Sequence, residues 1–114
     1  MKSKIVALSK NEDFKNLLNK KKVSNKYMTI FFGLLKDKNN KKLNISFVTK
    51  KKQIKSAVKR NKVKRRLRNI INDLVKKISI NFSLSYLVMA KTTMLNNEYQ
   101  VIKETLFQDF KKIK

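Results

Sequence analysis

The chain has 114 residues, the length of one domain, and sets 30 Lys and Arg against 7 Asp and Glu, a net charge of +23. Self-repulsion on that scale calls for a polyanionic partner, while an apolar fraction of 41% is too high for a disordered basic tail. With no Cys, no His, no Pro and a single Gly, the composition excludes disulfides, thiolate or imidazole catalysis, Cys- or His-ligated metals and a glycine-rich phosphate loop.

The first apolar stretch, Ile5 to Leu8, is too short for a secretory signal. Asn11-Glu12-Asp13 followed by Phe14, Leu17 and Leu18 reads as a helix start, with acids where the helix dipole favours them. Lys20, Lys21 and Lys22 read as the cationic close of that helix. Tyr27 to Leu35 reads as a strand, with Met28, Ile30, Phe32 and Leu34 on one apolar face and Tyr27, Thr29, Phe31 and Gly33 on a mixed one. Asp37 to Lys42 is expected to be a polar hairpin loop. Leu43, Ile45, Phe47 and Thr49 then alternate with Asn44, Ser46 and Val48, the period of a second strand. Ser56 to about Lys77 carries the longest helical signal. Leu84 to Lys91 is a third strand, and Glu98 to Lys112 a last helix with Tyr99, Ile102, Leu106, Phe110 and Ile113 on one face. This order predicts an α+β fold with a small sheet, in one domain over residues 1–114. The largely apolar runs 28–35 and 84–90 fall short of the ~20 residues of a membrane helix, and the expectation is a cytoplasmic protein.

The charge is concentrated. Between Asp37 and Asp73 there are fourteen basic residues and no acid, and all four Arg of the chain fall between Arg60 and Arg68. In a chain that otherwise uses Lys, Arg kept in one place points to bidentate phosphate contact or stacking on a base. On a helix, Val63, Leu67, Ile70, Ile71, Leu74 and Ile78 share a core-facing side. Asn61, Lys64, Arg65, Arg68 and Asn72 form a flanking stripe whose rise per turn suits a nucleic-acid backbone. The competing view, a solvated cationic face, leaves eleven basic residues from Lys50 to Arg68 repelling one another. A membrane-surface helix fits less well, because the apolar side lacks Trp and is committed to a core.

The segment from Ala57 to Arg68 resembles the signature of the bacterial ribonuclease P protein subunit, Arg-Asn-x-x-Lys-Arg-x-x-Arg, with Arg60, Asn61, Lys64, Arg65 and Arg68 matching. Leu8 to Phe14, Phe47 to Lys51 and Tyr86 to Lys91 resemble other parts of that family in the same order. The resemblance implies a small, mostly antiparallel sheet with three helices and a left-handed βαβ crossover, like a domain of a small-subunit ribosomal protein. The default crossover has the other hand, so periodicity alone does not suggest it. It implies a subunit that pairs with a catalytic RNA and helps remove the 5′ leader of precursor tRNA with Mg2+, held mainly by the RNA. No membrane and no protein partner are implied. Arg60, Asn61, Lys62, Lys64, Arg65 and Arg68 would face the catalytic RNA. Phe14, Leu18 and Phe31 would form a cleft for the leader, with Thr49, Lys50 and Lys51 on its rim and stacking on exposed aromatics as its chemistry. The chain departs from the family at Leu18, usually aromatic, at Ile45, usually Gly, and at Lys62, often Arg.

The residues agree on chemistry: seven scattered acids without His or Cys make no constellation for protein-side hydrolysis or a metal pair, so no catalytic or metal-ligating residue is expected. Two other readings remain at this point. A basic structural ribosomal protein would copurify with ribosomal RNA. A free-standing nuclease would act without an RNA partner.

Overall fold

The computed structural model describes residues 5, 6, 8, 11–35, 43–50, 52, 54–77, 80, 83–95 and 99–113. The elements are β1 (Ile5–Val6), α1 (Asn11–Leu18), β2 (Lys21–Ser24), β3 (Met28–Gly33), β4 (Leu43–Thr49), α2 (Ala57–Lys77), β5 (Ser85–Ala90), a 3-10 turn (Thr92–Leu95) and α3 (Tyr99–Lys112). The expected loop at 37–42, and Ile78, Glu98 and Lys51, lie outside the described residues.

One sheet has the strand order β1-β4-β5-β3-β2. β1–β4 and β4–β5 are parallel, whereas β3–β5 and β2–β3 are antiparallel. The α+β class with three helices is as expected, but the sheet is evenly mixed instead of mostly antiparallel. β3 and β4 do not form the expected hairpin, because β5 lies between them. The physical reason is in β5 itself. Tyr86, Val88 and Ala90 enter one core, and Leu87 enters another on the opposite face. A strand apolar on both faces belongs at the centre of a sheet. β4, α2 and β5 together make the βαβ crossover.

Two layers cover the sheet. On one face, Val63, Leu67, Ile70, Ile71 and Leu74 of α2 and Ile102, Leu106 and Phe110 of α3 pack on Met28, Ile30, Ile45 and Tyr86. Tyr86 and Phe110 meet with ring centroids 5.2 Å apart. On the other face, α1 closes a smaller cluster of Leu8, Leu17, Phe31 and Leu87. The Leu8 backbone is tied there to Ser46, whose Oγ accepts the Leu8 N–H at 2.8 Å.

α1 ends at Leu18, and Lys21 and Lys22 start β2, not the cationic close of a helix. Asn19 turns the chain, its side-chain amide donating to the Lys15 carbonyl. Val23 packs on the main core while Lys21 and Lys22 stay exposed on an edge strand, where lysine discourages further pairing. The β2–β3 turn uses neither Gly nor Pro. Asn25 Oδ1 instead accepts the backbone N–H groups of Tyr27 (2.7 Å) and Met28 (3.0 Å). Asn25 Nδ2 donates to the buried Asp109 carboxylate of α3, and Lys91 Nζ donates to the Asn25 carbonyl, so three distant segments meet at this turn.

Candidate nucleic-acid interface

α2 begins where Ser56 caps it. Ser56 Oγ accepts the Lys59 N–H at 3.3 Å, and its carbonyl accepts the Arg60 N–H at 3.0 Å. Ile54, just before, is buried in the main core, and its N–H donates to the Lys50 carbonyl at 2.9 Å. The loop is therefore anchored at both ends, which sets the rotation of the helix. With Val63, Leu67, Ile70, Ile71 and Leu74 turned inward, Asn61, Arg65 and Arg68 are exposed and Lys64 and Asn72 half-buried along one flank. Lys62 is exposed beside them. Among the described residues none of Lys62, Lys64, Arg65 and Arg68 forms an ion pair. The first acid along the helix, Asp73, is engaged by Lys103 of α3 at 2.9 Å. That hydrogen bond holds the Asp73 carboxyl below its usual range and raises Lys103.

Arg60 differs from its neighbours. Its Nη1 donates to the carbonyls of Ile54 (2.8 Å) and Lys55 (2.9 Å), so it braces the loop that sets α2 in place. The signal was present: cations in a first helical turn without acids oppose the helix dipole and need a negative partner nearby. Among the described residues its other guanidinium N–H donors meet no acceptor, which leaves them open to a phosphate.

Of the residues expected to line a leader cleft, Phe14 and Phe31 come together on the α1 face and Thr49 does not. Phe14 is half-buried on α1 against the small cluster, and Leu18, 45% exposed, stands at the end of α1. Phe31 is 9% exposed, so it is not the open stacking surface expected from its mixed strand face. α1 lies over that face and converts Phe31 into core beside Leu17 and Leu87. Thr49 sits on the opposite face of β4 from Val48, in register with the buried Ala90. Its hydroxyl is buried without a partner among the described residues. Lys50 is exposed beyond the end of β4. Val48 and Met89, which are register partners, take the places on the α1 face and pack half-buried beside Phe14. An apolar Val48 among Asn44 and Ser46 was the only sequence hint of this.

Among the described residues no group of three or more acids converges to hold a metal ion. No described helix is long and apolar enough to cross a membrane.

The family model described as Ribonuclease P matches residues 3–114. The chain belongs to the ribonuclease P protein family. Its similarity extends to ribonuclease P protein components from Mycoplasma mycoides subsp. mycoides (31% identical, covering 100% of both chains) and Carboxydothermus hydrogenoformans (30% identical, covering 94% of this chain and 90% of that one). The fold is that of the Thermotoga maritima ribonuclease P protein (TM-score 0.78, 21% identity, 96% and 98% covered). The Staphylococcus aureus ribonuclease P protein is similar in fold too (TM-score 0.75, 24% identity, 94% and 93% covered).

Proposed function

We propose that this ribonuclease P family member is the protein subunit of the tRNA-processing endonuclease, acting in the cytoplasm as a non-catalytic partner of a catalytic RNA. The carrying observation is the exposed flank of α2, where Arg65 and Arg68 have no acid partner among the described residues. Such a flank neutralises phosphates along a strand, and Asn61, Lys62, Lys64 and the free donors of Arg60 extend it. The α1 face, with Phe14, Leu18 and Lys50, takes the 5′ leader of precursor tRNA. Phe31 supports that surface from beneath, and Thr49 and Lys51 adjoin Lys50 in the chain. Any Mg2+ that cleavage requires is held by RNA oxygens, and the reacting phosphodiester lies on the RNA side.

The test is reconstitution with a catalytic ribonuclease P RNA and a precursor tRNA. The complex should release a leader and a mature 5′ end, and the protein alone should not. Replacing both Arg65 and Arg68 by Ala should weaken assembly by roughly 1.5–3 kcal/mol per lost charged hydrogen bond without lowering the thermal midpoint. Cleavage by the isolated protein would instead make the chain a nuclease, and capture of ribosomal RNA would make it a ribosomal component.

A further inference from the structure

A groove of about 550 Å³ lies at one end of the sheet, where β3 ends and β5 begins. Phe32, Leu34 and Leu84 line it with apolar surface, and Lys20 and Lys21 line it with charge. Phe32 and Leu84 are half-buried against the main core, on the sheet face that carries α2 and α3. Phe14 and Phe31 occupy the other face. Leu34 is 65% exposed, an apolar side chain left open to solvent at the mouth of the groove.

The charged lining is built, not incidental. Lys21 is the register partner of Phe32, so its side chain emerges on the same face. Lys20 lies flat against Gly33: a Cβ on Gly33 would come within 2.8 Å of Lys20 Cγ and 2.9 Å of its Cβ. The only glycine of the chain is therefore a matter of space, letting the Lys20 stem pack against the end of β3, where both residues adjoin the groove.

An aromatic and aliphatic surface with two lysines and no acid among its described lining residues is complementary to a nucleobase with its phosphate. The volume falls in the ~300–1,000 Å³ range of small-ligand sites, which admits an unpaired nucleotide and not a duplex. We infer that this groove holds an unpaired nucleotide of the catalytic RNA, its base against Phe32 and Leu34 and its phosphates at Lys20 and Lys21. The inference rests on the ribonuclease P reading. It favours the catalytic RNA over the leader because the groove shares its sheet face with α2, whereas the proposed leader surface lies on the α1 face.

The chain has no Cys, so Leu34→Cys supplies a single thiol for a tethered hydroxyl-radical source, and Leu34 is exposed enough that no core is opened. In the complex with catalytic RNA and precursor tRNA, strand scission should centre on an unpaired stretch of the catalytic RNA. Lys21→Glu should diminish that scission and weaken assembly roughly tenfold. Lys22→Glu, the same charge change on the opposite face of β2 in register with Phe31, should weaken assembly distinctly less. Phe32 is left intact because it also packs on the core. Scission confined to precursor tRNA, scission no greater than with free reagent, or equal losses for Lys21→Glu and Lys22→Glu would each overturn the inference. Assembly is read in the same titration. A protein that binds no catalytic RNA fails the functional reading and this one together, and assembly without scission near the groove fails this one alone.

Discussion

At the residue scale, burial reverses the roles of aromatics that look alike in the sequence. Phe31 is core beneath α1, so Phe31→Ala should cost about 3–5 kcal/mol and lower the urea midpoint with or without RNA. Leu18 is the opposite case. It is 45% exposed at the end of α1, so Leu18→Phe should leave stability within about 0.5 kcal/mol and tighten binding of a leader-bearing precursor relative to mature tRNA. Equal affinity for both substrates would place the leader elsewhere. Tyr86 offers a test of burial itself. Desolvation pushes its hydroxyl up to about 12 from 10.0. The folded state then holds a proton that the unfolded state releases, so this group's contribution is complete below pH 10 and is lost as pH rises toward 12. The stability of the protein minus that of Tyr86→Phe should therefore fall over that interval, by an amount on the order of 2 kcal/mol. Taking the difference removes the simultaneous titration of the lysines, and a flat difference would show that Tyr86 is hydrated.

At the element scale, the basic helix divides its labour. Ser56, Ile54 and Arg60 fix where α2 starts and how it is rotated, and the Arg65–Arg68 flank is then free to meet a partner. Arg65→Ala should thus lower the log–log salt slope of RNA binding by about 0.7–0.9 without lowering the melting temperature. Arg60→Ala should do both, because two loop carbonyls lose their donor. Salt titrations and thermal melts on the same two variants separate these roles, and an unchanged melt for Arg60→Ala would return that residue wholly to the RNA surface. The helix was readable from its apolar spacing, and the structure adds that Ser56 caps it. β2 was not, since two exposed lysines on a four-residue edge strand carry no hydrophobic period.

At the scale of the whole molecule, a net charge of +23 on one small fold means that the folded state works against its own field. The thermal midpoint should rise between about 0.01 M and 0.15 M salt, as the Debye length falls from ~30 Å to ~8 Å. A fall would mean that attractive pairs outweigh the repulsion. The sequence by itself determined the charge that calls for a polyanionic partner, the α+β class, and the core-facing stripes of α2 and α3. These follow from charge count and from periods of 2 and 3.6, which are local properties. Only the tertiary structure decided that β5 separates β3 from β4, that α1 buries Phe31, that Val48 and not Thr49 faces α1, and that Lys20 packs against Gly33 beside a groove. Each of these depends on which distant segment covers a given strand face, and a strand's alternation names its two faces without saying what lies against either.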